Sequence, residues 1–552
     1  MLLLLCSAGA FASETSCPFT QYILYNYNEI RAGLVHNNGE YADSLIDYIA
    51  QVSPTHDRSA IRAKLLDQLA QNPSEVSFMN AVCDDLNGSV SDQQPHSVSL
   101  VFAASFMGAP MSYFGHTFLL FHGSNTMFSK TVSFMAEVPD NAGALGYVYN
   151  GLSGGFNGSY QMVDYWKMIE SYNIVEQRSL IEYHLNLTPA EIAKMLTIFE
   201  ANRDIKKPYK YFTNNCSYEI LWLIESARDG IDLRSQFFWQ VAPYDTITTV
   251  INAGLVTHST MRHSLGSDMF RAYKNMSMSE RKTLDKMLDS RDKQAVLEDE
   301  NLTVESKQTL AGITNDYYDF LFKKHNYFYA DFDAVKQLDH LPKSAPKDTD
   351  IIMPIKGAKI AVGTYWREDT QGYDIHLRPA LNNRYEQTMN FQSEDTLEIL
   401  SAVVRKTDET VLLKKLDILH IESFNNRFLL YKPFSYRLRF AYENRDDHGE
   451  AKPLGEFGLG VARQFGALSL FALGEAAAED GSQRLNAFYG GSLDLFSLRF
   501  SVERRDTLLY FGEKSKPQTT VHIAAKPANN FSLMFWSETQ NKEFGITAAY
   551  HF

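Results

Sequence analysis

Apolar residues recur at helical spacing in the first part of the chain and at strand spacing in the last part. Ile61, Leu65, Leu66 and Leu69 follow i, i+4, i+5, i+8, one face of an amphipathic helix, and residues 14–92 as a whole read as a helical N-terminal domain. From about Ser97 the pattern turns to β in three runs: SVSLVFAASF, FGHTFLLFHG and KTVSFMAEV. A helix returns at TPAEIAKMLTIFEANRDI, where Thr188 and Glu191 form a capping box and Pro189 takes the first helical position. The next helix is predicted from near Asn214 to about Arg228, with Ile220, Leu221, Leu223 and Ile224 as its buried stripe. Residues 278–325 again read as helical, and residues 331–354, with Pro342, Pro346 and Pro354, as a linker.

From residue 355 to 552 the chain divides into about twelve runs of roughly ten residues with period-2 alternation, the length of a tilted membrane-crossing strand. Tyr436, Leu438, Phe440 and Tyr442 alternate with Arg437, Arg439 and Ala441. Leu498, Phe500 and Val502 alternate with Arg499, Ser501 and Glu503, and Tyr373, Ile375 and Leu377 with Asp374, His376 and Arg378. The last run sets Phe544, Ile546, Ala548, Tyr550 and Phe552 on one face. A soluble β-sandwich alternates in the same way. An even strand count and unusually aromatic apolar faces favour a membrane barrel. The terminal Phe552 resembles the aromatic C-terminal signature of bacterial outer-membrane barrels. The expected fold class is α+β, closed by an antiparallel β-barrel.

Composition narrows the setting. The 552 residues carry 52 Lys+Arg against 66 Asp+Glu, a net charge of −14, which argues against a nucleic-acid partner. After the first residues no apolar run reaches about 18, so helical membrane spans are excluded. Residues 1–13, MLLLLCSAGAFAS, have the apolar stretch and A-x-A site of a secretory signal peptide, without a positive n-region. Cleavage after Ala12 would leave Cys17, Cys83 and Cys216. In an oxidising compartment two of three can pair, and Cys17 with Cys83, in one segment, is the expected disulfide. Cys216 is then the odd thiol.

Two motifs carry candidate chemistry: GHTFL around His116 in a strand, and NNCSYE around Cys216 at a helix start. The positive end of a helix and its unpaired N–H groups favour thiolate, and an imidazole nearby would serve as acid or base. The bland alternative for Cys216 is a small buried apolar residue. His116 and His122, roughly 20 Å apart along one strand, are too distant to share a metal. No H-E-x-x-H, C-x-x-C or P-loop motif occurs, so neither metal nor cofactor is expected. Glu170, Glu176 and Glu182 read as a solvated face. Tyr211 and Phe212 are candidates for a substrate groove as well as for ordinary core, and GLSGGFNG (residues 151–158) for a lid.

The order strand-His, then helix-Cys, resembles circularly permuted papain-like proteins, namely NlpC-type hydrolases and lecithin:retinol acyltransferase relatives. More closely, FGHTFLLF, EQRSLIEYHLNLTPAE and NNCSYEILWLIE resemble the Lnb N-terminal periplasmic domain family, over about a third of the chain. That resemblance implies a papain-like periplasmic domain, placed at residues 93–330 with a helical extension. It also implies a thioester acyl-enzyme on Cys216 with His116 as base. Ser129, Thr131 and Ser133 on the following strand are candidates to orient His116. Asn214 and Asn215 are candidates to join the Cys216 N–H at an oxyanion, or simply to cap the helix. The expected protein is an exported acyltransferase of the outer membrane with periplasmic N-terminal domains, acting on a membrane lipid or lipoprotein. A cysteine peptidase or amidase acting on peptidoglycan peptides, and a non-catalytic barrel with a binding module, are the alternatives. The family's name-giving members join this domain to helical membrane segments, so a barrel departs from their plan.

Overall fold

A computed structural model describes residues 20–551, apart from 53–56, 87–94, 105–114, 124–128, 140–145, 147–149, 290–301, 326–346, 353–356, 380–382, 386–392, 426–433 and several shorter stretches. The signal-peptide segment 1–13 and Cys17 lie outside the described residues. The chain forms two compact units, Met1–Ile352 and Met353–Phe552.

In the first unit four helices come first: α1 (Thr20–His36), α2 (Glu40–Val52), α3 (Arg58–Gln71) and α4 (Glu75–Leu86). An antiparallel sheet follows, built from β1 (Ser97–Ala103), β2 (His116–His122), β3 (Lys130–Glu137), β4 (Phe156–Asp164), β5 (Leu180–Leu185), β6 (Lys207–Tyr209), β7 (Val256–Arg262) and β8 (Lys347–Thr349). Their order is β6-β4-β3-β2-β1-β5-β7-β8. Lys347–Thr349, inside the expected linker, thus pairs as an edge strand with β7.

Alternation along β1 and β2 feeds two cores. Val101, Ala103, Phe118 and Leu120 pack with Ile30, Leu45, Leu65 and Phe78, so α1–α4 share one core with the sheet. Leu100, Phe102, Leu119 and Phe121 face the other way. They pack with Ile192 and Phe199 of α5 (Pro189–Asn202), Ile220 and Leu223 of α6 (Cys216–Ala227), and Ile247 of α7 (Pro243–Asn252). The Thr188 capping box forms as expected, with Thr188 N donating to Glu191 at 2.7 Å. Helices α8 (Leu265–Asn275), α9 (Met278–Asp289) and α10 (Val304–His325) complete the unit.

The expectation for the glutamates needs correction. Glu182 is buried and accepts a hydrogen bond from the Tyr165 hydroxyl at 2.6 Å, while Glu176 pairs with buried Arg178 at 2.9 Å. A carboxylate inside a core needs such a donor, and Tyr165 supplies it from the four-residue helix Tyr165–Met168.

The second unit is a closed barrel of twelve antiparallel strands. They are β9 (Lys359–Arg367), β10 (Thr370–Arg378), β11 (Ser393–Lys406), β12 (Val411–Asn425), β13 (Ser435–Glu443), β14 (Lys452–Phe465), β15 (Leu468–Glu479), β16 (Ser482–Leu495), β17 (Leu498–Phe511), β18 (Gln518–Ala528), β19 (Phe531–Glu538) and β20 (Glu543–His551). Pairing of β20 with β9 closes the ring.

Its burial is inverted relative to a soluble sandwich. Tyr373, Ile375, Leu377, Phe440, Tyr442, Val502, Phe544, Ile546 and Tyr550 are exposed, whereas Asp374, Arg378, Arg437, Arg439, Arg499 and Glu503 are buried inside. The interior charges are paired. Arg437 reaches Glu422, Glu456 and Glu475 at 2.8, 2.6 and 2.7 Å, and Arg405 reaches both oxygens of Asp374 at 2.8 Å. An apolar aromatic outside and a charged inside fit a wall that faces lipid. This decides against the sandwich: the barrel is of the outer-membrane type, and the protein resides in that membrane.

Candidate active site

The site begins at a glycine. Gly115 has φ of +82°, and a Cβ there would meet the Phe102 ring at 2.4 Å, so glycine is required for the chain to enter β2 at this angle. His116 is the first residue of β2 and pairs with Ala103 of β1. Helix α6 packs on this sheet, and its start is fixed by Asn215. That residue is extended, and its side-chain oxygen accepts from the Tyr218 N–H at 3.1 Å. The Thr117 and Ser217 hydroxyls bond at 2.7 Å, which ties strand to helix one residue beyond His116 and Cys216.

Cys216 is a free, buried thiol at the first turn of α6. Burial pushes the thiol up. The charge and hydrogen bond of His116, the Thr117 N–H and the Ser217 hydroxyl outweigh burial and bring it from 9.0 down to about 6. The structure thus brings the two predicted chemical residues together.

Sequence reasoning missed Tyr209. Its hydroxyl accepts from the Cys216 N–H at 3.4 Å, and burial followed by the adjacent thiolate raises its pKa well above the usual tyrosine range. It lies seven residues before Cys216 in KPYKYFTNNC, at a spacing that only the β6 turn converts into contact.

The other predicted residues are placed as follows. Asn214 donates its amide to Pro208 O at 2.7 Å, and Asn215 donates to Tyr211 O and Val241 O at 2.9 and 2.7 Å. Those amides therefore hold main chain around the cysteine. Ser129 accepts from Gly123 N at 3.0 Å and Thr131 donates to Val163 O at 2.8 Å, while Ser133 is buried without a hydrogen-bond partner. Among the described residues none of the three bonds His116, whose buried Nε2 likewise meets no partner there. Tyr211 and Phe212 are partly buried beside the motif, and the Tyr211 ring stands edge-on to Tyr209 at 6.2 Å. The glycine segment packs closely on this wall. Gly151 O accepts from Tyr211 N at 2.8 Å, and a Cβ on Gly151 would fall 2.0 Å from the Tyr211 ring.

Two further groups gather side chains of the metal-ligating kind. His122 and His184 stack at 5.4 Å, and His184 and His258 at 4.0 Å, with Ser99 bridging His122 and His184. Ring nitrogens spent on Ser99, Thr257 and Thr260 hydroxyls are not arranged as ligands. Among the described residues, Glu398, Asp417 and His420 inside the barrel bring ligand atoms within 4.8 Å of one another. Asp417 is already taken by Arg439 at 2.6 Å and Lys415 at 2.9 Å, so cations of the protein fill that role.

Fold and site together define a class: an envelope protein in which a sheet-and-helix domain with an adjacent cysteine and histidine precedes an outer-membrane β-barrel. Residues 90–253 match the Lnb N-terminal periplasmic domain family, and residues 356–534 match a domain of unknown function (DUF7840). No curated protein matches the chain. Among solved structures, the KdgM porin is similar at 10% identity, covering 35% of this chain and 99% of that chain, with a TM-score of 0.24. LpxR from Salmonella typhimurium is similar at 12% identity, covering 35% and 100%, with a TM-score of 0.19. Likenesses at these levels say nothing about activity.

Proposed function

We propose that this protein is a thiol-dependent acyl-transfer enzyme of the bacterial envelope, acting on a membrane lipid or lipoprotein. The Cys216 thiolate attacks an acyl carbonyl, and the carbonyl oxygen takes the charge against the Tyr209 hydroxyl, with the Cys216 N–H turning to it from the Tyr209 oxygen. The tetrahedral adduct collapses with loss of the leaving oxygen, which takes a proton from His116, and a thioester remains. An acceptor amine or hydroxyl gives its proton to His116 and attacks the thioester, and the thiolate leaves.

The observation that carries this reading is Cys216 itself, a thiol at a helix N-terminus brought down to about 6 beside His116. Aromatic neighbours support a lipid substrate over a peptide one: the Tyr211 ring stands edge-on to Tyr209, and the Tyr172 ring lies 5.8 Å from His116. The test is intact-mass analysis of the full chain incubated with phospholipid vesicles. A hydroxylamine-labile fatty acyl adduct on Cys216, absent from Cys216→Ala, is expected. Release of peptides from cell-wall fragments without any lipid adduct would replace this reading by the amidase.

A further inference from the structure

The Cys–His reading leaves open what holds the histidine ring. Among the described residues its Nε2 meets no hydrogen-bond partner, and Ser129 and Thr131 bond elsewhere. Aromatic rings surround it instead. His116 lies 5.9 Å from Phe118 at 29° and 5.8 Å from Tyr172 at 37°, and Phe118 and Tyr172 stack at 6.1 Å and 20°. Tyr172 belongs to a π-helical turn, Ile169–Val175, the kind of widened turn that often marks functional sites.

Arg178 anchors that tyrosine. Its guanidinium lies 4.6 Å from the Tyr172 ring centroid, and its main-chain N–H donates to Tyr172 O at 2.8 Å. Arg178 is 2% exposed, and its fork donates to Ala104 O, Ala103 O and Glu176 at 2.5, 2.9 and 2.9 Å. Ala103 is the residue paired with His116 across β1 and β2. The same guanidinium therefore grips the strand opposite the histidine and the Tyr172 ring that leans against it at 37°.

We propose that Tyr172, held by Arg178, is the positioning residue of His116: an aromatic clamp in place of a polar third residue. Aromatic contact restrains the imidazole without spending a ring nitrogen, so the nitrogen that bonds the Cys216 thiol stays available for proton transfer. This inference rests on the Cys216–His116 reading. Its observable is how well the histidine stays beside the thiolate, whatever acyl group is transferred.

The experiment is iodoacetamide labelling of Cys216 against pH in the detergent-solubilised full chain, with folding followed by thermal melting. Tyr172→Phe keeps the ring and should retain a labelling midpoint at about 6, as in the unsubstituted protein. Tyr172→Leu keeps bulk but loses the ring. It should move the midpoint up by about one pH unit or more, a tenfold change in thiolate affinity for the proton. A merely structural role would lower the melting temperature and leave the midpoint in place. If His116→Ala shifts the midpoint and Tyr172→Leu does not, the clamp is overturned and the Cys–His pair survives. If neither shifts, the pair itself fails. Should Tyr172→Leu not fold, nuclear magnetic resonance of the unsubstituted full chain decides. Cross-relaxation between the His116 and Tyr172 ring protons is expected, and its absence would overturn the clamp.

Discussion

Removing the His116 imidazole should change the pH profile of Cys216 alkylation more than its rate at neutrality, and the size of each effect follows from the site. Burial and the remaining Thr117 N–H and Ser217 hydroxyl oppose one another at the thiol. His116→Ala should therefore return it from about 6 towards its ordinary 9.0. At pH 7 the thiolate fraction then drops from about nine-tenths to about one-hundredth. Nucleophilicity works the other way. With a Brønsted slope of about 0.4–0.5, the more basic thiolate is roughly twentyfold more reactive. The net loss at pH 7 is only about fourfold, the two curves cross between about pH 7.5 and 8, and the variant is about tenfold faster at pH 9. Stopped labelling with iodoacetamide, read by peptide mass, gives both curves. Two profiles with the same midpoint, or a variant slower at every pH, would refute the claim that His116 holds the thiolate.

How far the sequence discloses this protein depends on how local each cause is. Barrel strands are legible because lipid lies on one side and ion-paired charge on the other. In β13 every second residue from Arg437 turns inward, as the alternation requires. The start of α6 is legible because Asn215 caps within its own turn. His116 and Cys216, 100 residues apart, are named by motif, but only the sheet and α6 bring them together. Causes that cross between elements leave no local trace. Tyr172 reaches His116 from a π-helical turn 56 residues on, and hydropathy does not mark such a turn. Glu182 reads as a surface strand residue because its partner Tyr165 sits on a separate short helix. Residues 14–92 read as a separate helical domain, since amphipathic helices do not announce that their apolar stripe meets β1 and β2.

Because Cys216 and His116 act as one unit in the proposed reaction, the double variant Cys216→Ala/His116→Ala should be hardly less active than Cys216→Ala alone. Independent, multiplying losses would count against the pair. Cys216 is a free thiol, as the proposed Cys17–Cys83 bridge requires. Non-reducing peptide mapping should recover that bridge, and Cys216 found in a disulfide would sink it together with the nucleophile. Burial, then the His184 and His96 charges, depress His122 to about 4. The unfolded chain therefore takes up more protons between about pH 4 and 6.5, so stability is full above that window and falls as pH drops through it. Lowering pH from 7 to 5 should cost about 2 kcal/mol through this residue, and thermal melts of His122→Gln should lack that part of the loss. Arg437→Leu tests the barrel interior, because it strips one guanidinium from Glu422, Glu456 and Glu475 at once. Buried carboxylates left short of a cation cost about 3–5 kcal/mol. Arg439 still stands 3.4 Å from Glu456 and Arg505 2.7 Å from Glu475, which places the loss at the lower end. On gels of samples heated to graded temperatures, the folded-to-unfolded band shift should move to lower temperature, and an unchanged shift would mean that the interior charges are solvated and do not hold the barrel closed.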